Sequence, residues 1–390
     1  MKTLDITPRP KVSFISASPT TIATFLEPHL RKAVEDYDVT VITDLTGASL
    51  DSIRIPGVTY CHAPISRKIT LLRDIRAFWR IFRFVSGGGY SAVVSVTPKA
   101  GFLMSIAAFV ARVPVRIHWF TGQVWANKPT PFGYLLKTAD RVIATFSTYL
   151  LADGKSQRDF LIAEKVSHGE SCTVLREGSI SGVDHKRFRP DPDARRLIRA
   201  ELEIPDDAVV VIFLGRITRD KGVVDLAEAL AILQTKAKVH SVWVGADEEE
   251  LALFLQATME AAGHSSHFVG ATLGPERFLA AADVLCLPSY REGFGTSVIE
   301  AAAAGVPAVV SDIYGLADAV VKGKTGVVFP VGNYRELSAC LTLMIDHPRV
   351  RAKLARAARA RTREFFRQED IVKEFGDFLA RQLLEVGPRV

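Results

Sequence analysis

Two cations five residues apart follow an apolar run of the chain. Arg216 and Lys221 come just after residues 209–214, a β-branched run that predicts a buried strand. Arginine offers a planar fork of donors and lysine a point charge, and the start of the next helix adds oriented amides. A strand-to-helix turn of this kind suits a diphosphate. A solvated pair of charges on a surface turn would give the same pattern.

A second segment, residues 289–305 (SYREGFGTSVIEAAAAG), follows the predicted strand 284–287 and a proline. Its helical pattern is predicted to begin near Gly295 or Thr296. Gly293 and Gly295 allow the backbone to approach a ligand closely and leave the first helical amides facing an anion. This segment therefore predicts a second anion-binding turn.

Two glutamates of this segment differ in position. Glu292 precedes the predicted helix, whereas Glu300 lies about one turn inside it. A carboxylate that accepts from two adjacent hydroxyls is a natural reader of a ribose, which is the role we predict for Glu300. Glu292 is predicted to lie near the phosphate-sugar end. An acid favoured by the helix dipole would explain Glu292, but it would leave the two glycines unexplained.

Short β-branched runs alternate with helical stretches along most of the chain, which is typical of parallel sheets with right-handed crossovers. The predicted strands are residues 12–16, 39–43, 92–96, 115–118, 141–144, 209–214, 242–245, 267–269, 284–287, 308–311 and 327–329. Only helices are predicted after Pro330. The fold class is therefore α/β, with two doubly wound Rossmann-like domains.

The boundary between the domains is predicted in residues 178–190, a stretch rich in Gly, Ser and Pro. Residues 1–185 form the predicted N-terminal domain and residues 186–368 the C-terminal domain, and a helix in residues 369–390 is predicted to cross back to the first. Ligands of such sheets bind beyond the carboxyl ends of the strands. Two facing sheets would place these ends across one interdomain cleft.

Composition limits the class of protein. The 390 residues are too many for one ordinary core, and no stretch reaches the roughly 20 apolar residues of a membrane span. The N-terminus lacks the apolar core of a secretory signal. The four cysteines stand far apart, which argues against a zinc site and fits a reducing cytoplasm. No nucleic-acid recognition motif accompanies the net positive charge.

A basic amphipathic helix is predicted between Arg67 and Arg83, where six basic residues accompany one acid. Its arginines recur at three- and four-residue steps, and its large apolar residues do the same on another face. Such a helix is typical of a surface that lies on anionic lipid, here the cytoplasmic face of an inner membrane. A helix packed on the core with a solvated basic face would show the same periodicity.

The segment Glu292–Glu300 resembles the E-x7-E motif of the retaining family 4 glycosyltransferases, which have the GT-B fold. Its continuation to residue 330 also looks like that family. Gly215-Arg216 with Lys221-Gly222 resembles the family's diphosphate motif, and residues 182–190 (GVDHKRFRP) resemble its interdomain connection. The resemblance covers essentially the whole chain.

This resemblance implies transfer of a sugar from a nucleotide-diphosphate sugar with retention of configuration, without a metal or another cofactor. It implies that Gly215, Arg216 and Lys221 hold the diphosphate and that Glu300 binds the ribose. Glu292, Gly293 and the amides of Phe294, Gly295 and Thr296 would contact the donor sugar and phosphate. Arg216, Lys221, Glu292 and His118 are the implied catalytic residues. Uridine is the base expected from its frequency in the family, with a hexose or N-acetylhexosamine as the sugar.

The N-terminal half agrees less fully with the family, because the loop of residues 16–20 (SASPT) has no glycine where many members have several. Residues 97–101 (TPKAG) and 116–125 (RIHWFTGQVW) resemble a bacterial subgroup that acts in the assembly of surface polysaccharide or lipid-linked oligosaccharide. This resemblance leads us to expect a polyprenyl-diphosphate-linked acceptor, with His118 and Lys99 as the residues that would bind it. Alternatively, His118 is a structural histidine at the end of a strand, and Lys99 is part of a surface helix cap.

Three other functions share some of these features. A glycosyltransferase with a soluble acceptor would carry the same donor motifs. A non-catalytic protein that binds nucleotide sugars would be expected to lose Arg216, Lys221 or one of the two motif glutamates, and all four residues are present. A dinucleotide oxidoreductase would share the architecture, but no G-x-G-x-x-G follows a predicted strand.

Overall fold

The computed structural model describes residues 9–46, 54–66, 70–128 and 130–386, without the side chain of Glu170. The chain divides into two compact units. The first unit comprises Met1–Ser181 together with Glu369–Val390, and the second comprises Gly182–Gln368.

Thirteen strands are present in the described residues, and their bounds follow in chain order. They are β1 (Lys11–Ile15), β2 (Asp38–Thr43), β3 (Val58–His62), β4 (Ala92–Val96), β5 (Val115–Phe120), β6 (Tyr149–Ala152), β7 (Cys172–Val174), β8 (Val209–Leu214), β9 (Val239–Val244), β10 (Ser265–Gly270), β11 (Val284–Leu287), β12 (Ala308–Ser311) and β13 (Gly326–Phe329).

Fifteen α-helices lie between and after these strands in the same part of the chain. They are α1 (Pro19–Thr21), α2 (Glu27–Asp36), α3 (Leu71–Gly88), α4 (Pro98–Val110), α5 (Pro131–Phe146), α6 (Lys155–Ala163), α7 (Pro192–Glu201), α8 (Val223–Ala231), α9 (Ala252–Ala261), α10 (Pro275–Ala281), α11 (Thr296–Ala303), α12 (Leu316–Ala319), α13 (Tyr334–Asp346), α14 (Pro348–Phe365) and α15 (Gln368–Val386).

The first unit contains a seven-stranded sheet in the order β3-β2-β1-β4-β5-β6-β7, and every pairing is parallel. This is the doubly wound order, in which the chain reverses direction across the sheet between β1 and β4. One face of the sheet is covered in part by α15. Phe375 of that helix stacks on Trp119 at 5.3 Å between ring centroids and meets His29 at 5.0 Å.

The second unit contains a six-stranded parallel sheet in the order β10-β9-β8-β11-β12-β13. Its central strands are apolar on both faces, as expected for strands that helices cover from both sides. Strands β8 and β11 are neighbours, so the turns that follow them lie side by side at one edge of the sheet. This places the two candidate motifs next to each other.

The predicted fold class is confirmed, and ten of the predicted strands overlap observed ones. The strand predicted at residues 141–144 is wrong, because these residues lie within α5. That helix begins with Pro131 after a Thr130 side chain that caps the Gly133 amide, and a short β-branched run inside a capped amphipathic helix stays helical. Three strands, β3, β6 and β7, were not predicted.

Across residues 9–46, 54–66, 70–128 and 130–386, no helix combines the length and apolarity that crossing a bilayer requires.

Candidate active site

The turn after β8 carries the first motif. Residues Arg219–Lys221 form one turn of 3₁₀ helix, and Gly222 with φ +69° leads into α8. A Cβ at Gly222 would lie 2.1 Å from the carbonyl oxygen of Pro288, so only glycine fits here. The turn therefore packs directly on the chain that leaves β11.

Two further contacts tie the turns after β8 and β11 together. The backbone N–H of Tyr290 donates to the Asp220 carbonyl at 2.9 Å, and the Arg291 guanidinium pairs with the Asp220 carboxylate at 2.7 Å. Sequence reasoning did not single out Asp220 or Arg291. Their positions just after predicted strands were the available signal.

Lys221 and Glu292 meet at the centre of this arrangement. The Lys221 ammonium lies 2.6 Å from the Glu292 Oε1, and the two side chains are only 15% and 12% exposed. The Ser289 hydroxyl donates to the same oxygen at 2.8 Å. A cation held by a carboxylate at a shielded position forms a strong charge-assisted hydrogen bond. The structure thus brings together two residues that the sequence placed 71 positions apart.

Arg216 is paired with a carboxylate that the sequence analysis missed. Its Nη1 lies 2.7 Å from the Glu248 Oε2, and both side chains are a little more than one-third exposed. Glu248 belongs to the acidic run 247–250 after β9, the neighbour of β8. The two turns are in close contact, since a Cβ at Gly245 would lie 1.8 Å from the Gly215 carbonyl oxygen. The acidic run after a predicted strand was a usable signal.

The glycines before α11 shape the second motif. Gly295 has φ +76°, and a Cβ there would lie 2.5 Å from the Leu316 side chain. Gly315, with φ +82°, approaches the carbonyls of Glu292 and Gly293 so closely that a Cβ would lie 2.8 and 2.7 Å from them. These contacts fix the backbone that leads into the helix, and the amides of its first turn are left to meet a ligand.

Phe294 is a core residue. Its side chain is buried, and its ring meets Phe366 in a T-shaped contact at 5.3 Å. Only its backbone N–H is therefore available for the predicted donor contact. Thr296, the first residue of α11, is partly exposed.

Glu300 lies in the second turn of α11, and the residue is partly buried. Burial raises the pKa of the Glu300 carboxyl to about 7; the nearby Arg187 acts against this shift and Glu276 adds to it. A carboxyl that titrates near neutral pH is readily ionised by a ligand that donates hydrogen bonds to it.

His118 does not end its strand, contrary to the prediction, because β5 continues to Phe120. Its ring is 1% exposed and lies 2.8 Å from the Ser95 hydroxyl through Nδ1. A Cβ at Gly101 would lie 2.3 Å from the ring, so the glycine of the TPKAG segment provides its space. Burial lowers the pKa of His118 to about 3, which keeps the imidazole neutral.

Lys99 lies in the first turn of α4 and is 16% exposed. Its ammonium pairs with Asp74 of α3 at 2.5 Å and donates to the Ser66 hydroxyl at 3.3 Å. Its role toward an acceptor stays a prediction.

Thr97, immediately before α4, has φ +80°, which is strained for a β-branched residue. Its hydroxyl oxygen accepts the N–H of Ala17 at 3.2 Å. In this way a threonine fixes the glycine-free loop after β1, a feature that the sequence alone did not reveal. Strain of this kind is concentrated at functional sites.

The described residues contain no group of three or more His, Cys, Asp or Glu side chains arranged to hold a metal ion.

Comparison with family models gives two matches that together cover most of the chain. The model described as "Glycosyl transferases group 1" matches residues 194–361, within the second unit. The model described as "Glycosyl transferase 4-like domain" matches residues 29–176, within the first.

Individual relatives and a solved structure agree. A capsular polysaccharide biosynthesis glycosyltransferase of Staphylococcus aureus is 27% identical over 80% of this chain and 82% of its own length. The N,N'-diacetylbacillosaminyl-diphospho-undecaprenol alpha-1,3-N-acetylgalactosaminyltransferase of Campylobacter jejuni is 31% identical over 81% of each chain. The structure of HepE from Anabaena, in complex with UDP and glucose, superposes with a TM-score of 0.79 at 20% identity, covering 95% of this chain and 100% of HepE.

Two Rossmann-like sheets and the paired motifs after β8 and β11 define a glycosyltransferase with the GT-B fold. The chain belongs to the family 4 glycosyltransferases.

Proposed function

We propose that the protein transfers a sugar from a UDP-linked hexose or N-acetylhexosamine to a lipid-linked saccharide in bacterial polysaccharide assembly, with retention of configuration and without a metal. The observation that carries the proposal is the Lys221–Glu292 pair at 2.6 Å. It joins the two motifs at the carboxyl ends of adjacent strands, where ligands of such sheets bind.

The proposed chemistry depends on the leaving group. When the sugar-phosphate bond breaks, negative charge develops on the departing diphosphate. Arg216, Lys221 and the first amides of α11 would stabilise this charge, which is the task that other transferases give to a metal ion. The acceptor hydroxyl attacks from the side of the leaving group, and the departing phosphate takes its proton. Retention of configuration follows, and Glu292 orients the donor sugar without forming a covalent bond to it.

The carboxylates beside the two cations are consistent with this role. Glu248 and Glu292 each hold one of the two cations that we assign to the diphosphate. An incoming diphosphate would take their place as the anionic partner. Glu292 would then be released toward the sugar, and Glu300 would accept hydrogen bonds from the ribose diol.

The assignment of donor and acceptor rests on relatives. HepE was solved with UDP and glucose, and the C. jejuni relative is named for an N-acetylgalactosaminyl transfer to a diphospho-undecaprenol-linked sugar. The S. aureus relative is named for capsular polysaccharide biosynthesis. These names favour a lipid-linked acceptor over a soluble one.

A kinetic test uses Lys221→Ala. We expect turnover to fall by about 100-fold or more, as on removal of one donor to a developing oxyanion, while the Kd for UDP changes by less than about 10-fold. The measurement is acceptor-dependent release of UDP, with Kd from calorimetry.

The matched control is Lys238→Ala. This change removes an exposed lysine whose ion-pair partner, Asp207, lies just before the start of β8. It is expected to leave both parameters unchanged. Unchanged turnover in Lys221→Ala, with the fold verified by circular dichroism, would remove the proposed role. UDP release that does not depend on an acceptor would contradict transfer.

Peripheral membrane contact through α3 is part of the proposal. Residues 67–69 of the predicted basic helix lie outside the described residues, and α3 begins at Leu71. Three residues of its apolar row are exposed: Leu72 is 82%, Trp79 61% and Ile75 47% accessible. The fourth, Phe82, is partly buried against the core of the first unit. The buried row consists of Ala77, Ile81 and Val85. This exposure supports the proposal that these apolar residues contact a membrane surface.

Vesicle flotation tests this contact. We expect the wild-type protein to float with anionic vesicles and the Leu72→Ser/Trp79→Ser variant to float several-fold less, since it loses two apolar anchors. Leu253→Ser, at an 81% exposed leucine of α9 in the second unit, is the control. If the wild-type protein floats with neither anionic nor neutral vesicles, the proposed membrane contact is refuted.

A further inference from the structure

The pocket beside α3 has a chemistry that the proposed function does not explain. It measures about 430 Å³, within the usual range of small-molecule sites. Thr46, which follows β2, and His62, the last residue of β3, form one side of it. The pocket therefore opens at the carboxyl ends of parallel strands, where ligands of doubly wound sheets bind.

Three arginines of α3 form the other side: Arg73, Arg76 and Arg80. They are spaced by three and four residues and so share one face of the helix. Arg73 pairs with the largely buried Asp44 at 2.9 Å. Arg76 and Arg80 have no salt bridge to any residue in the described part of the chain. Among the described residues, one carboxylate faces three guanidinium groups, so this part of the pocket has a net positive charge.

His62 adds a further donor. Its Nδ1 accepts the backbone N–H of Leu45 at 3.1 Å, which leaves Nε2 as the nitrogen that donates. Two arginines that form no salt bridge with a described residue, together with one imidazole donor, can surround several oxygens of a single anion. This donor set matches phosphate oxygens, which arginine engages through its planar fork.

The apolar row of α3 borders this pocket. Leu72 lines the pocket and is 82% exposed, and Ile75 and Trp79 continue the row along the helix. At 100° per residue, the basic and apolar rows are centred about 100° apart, and the apolar row points away from the buried one. A ligand held by Arg76 and Arg80 would thus have an apolar surface beside it, leading outward.

We propose that this pocket binds the diphosphate of a prenyl-diphosphate-linked acceptor, with Arg76, Arg80 and His62 on the phosphates and the apolar row of α3 along the first prenyl units. This inference rests on the proposed function, since it names the acceptor group that the first unit recognises. The same phosphate-ester chemistry occurs in anionic phospholipid headgroups. A diphosphate concentrates more negative charge at one point than a phospholipid headgroup does, which matches three guanidinium groups on one face of a single helix.

The test is calorimetric titration with farnesyl diphosphate in the absence of vesicles. We expect Arg76→Gln/Arg80→Gln to weaken binding by at least about 10-fold, because two charge-assisted contacts are lost. Arg83→Gln is the matched control: it lies on the same helix, is exposed and does not line the pocket, so its effect should stay within about 2-fold. Inorganic diphosphate should bind more weakly than farnesyl diphosphate, because it cannot use the apolar row.

Several results would overturn the inference. One is unchanged binding of farnesyl diphosphate by the double variant; another is equal loss in the Arg83→Gln control. Flotation with anionic vesicles separates the phospholipid source: a double variant that loses flotation but keeps farnesyl diphosphate binding would make the arginines a phospholipid surface only.

Failure of the proposed function is distinguishable from failure of this inference. UDP affinity should be the same in the double variant and the wild type, since Arg216 and Lys221 are intact. If transfer proves independent of Lys221 while farnesyl diphosphate binding still requires Arg76 and Arg80, the proposed mechanism falls and the pocket stands. If transfer to a prenyl-linked acceptor is normal in the double variant, the pocket assignment falls alone.

Discussion

Glu300 illustrates how a single side chain can make nucleotide binding depend on pH. Burial raises the pKa of its carboxyl to about 7. A ribose diol donates hydrogen bonds, so it prefers the ionised form. At pH 6 most molecules would have to release a proton before binding, whereas at pH 8 the carboxylate is already formed.

We therefore predict that UDP affinity rises with pH from pH 6 and levels off above about pH 7.5. Below the pKa of Glu300, the rise should amount to at most about 10-fold per pH unit. Titration calorimetry of wild type and Glu300→Gln across this range measures it. The phosphate of UDP also titrates near pH 6 and contributes equally to both proteins, so the difference between them isolates Glu300. Parallel curves would refute the assignment.

The raised pKa of Glu300 also makes the stability of the folded protein depend on pH. In the folded protein the pKa lies above the ordinary value of 4.5, so the unfolded chain releases this proton at lower pH. Glu300 thus contributes stability that is fully present below pH 4.5 and lost as the pH rises through 7. Glu300→Gln should accordingly raise the melting temperature at pH 8 by a few degrees, and should not raise it at pH 4.5.

At the scale of the elements, the neighbouring turns after β8 and β9 determine which carboxylate pairs with Arg216. Because β9 lies beside β8, the acidic run after β9 faces the first motif. An exposed ion pair of this kind is weak, worth at most about 1 kcal/mol. It nevertheless competes with any anion that needs the same guanidinium.

We predict that Glu248→Gln tightens UDP binding by about 2- to 5-fold, because the diphosphate no longer displaces a carboxylate. Calorimetry at low salt gives the largest effect, since salt screens exposed charges. The control is Asp207→Asn, which breaks an exposed pair with Lys238 before β8 begins. Weaker binding in Glu248→Gln would mean that Glu248 assists the ligand instead.

These elements also mark how far sequence reasoning reaches. The central strands and the helix α11 were predictable, because long β-branched runs and a glycine pair before a helix are local signals. Strand β3, at an edge of the sheet, is only partly buried and carries a weak pattern. The acidic run after β9 is visible in the sequence, but its pairing with Arg216 depends on the strand order, which no local pattern encodes. The burial of His118 depends on the space that Gly101 leaves for its ring. His118 lies in β5 and Gly101 in α4, and these two elements meet only in the folded protein.

At the scale of the whole molecule, all the residues assigned to the donor lie in Gly182–Gln368. A ligand stabilises the state that binds it by about 2.7 kcal/mol at a concentration of 100 Kd. Since each unit has its own apolar core, the effect should be strongest in the unit that binds.

We expect hydrogen exchange with saturating UDP to slow most in residues 215–222 and 292–300 and, to a smaller extent, in the core strands β8 and β11. Amides of β1, β2 and β4 in the first unit should change less. Lys221→Ala, measured at the same UDP concentration, should reduce the protection in 215–222. Stronger protection in residues 9–46 than in the second unit would contradict the placement of the donor.

Helix α15 belongs with the first unit although it is encoded after the second. Phe375 and Phe378 cover Phe14, Trp119 and Tyr149, with ring centroids 5.3 to 6.2 Å apart. During synthesis, the second unit emerges from the ribosome before the helix that completes the first. For that interval the earlier sheet has uncovered aromatic rings, and the nascent first unit is a candidate client of chaperones until its last helix arrives.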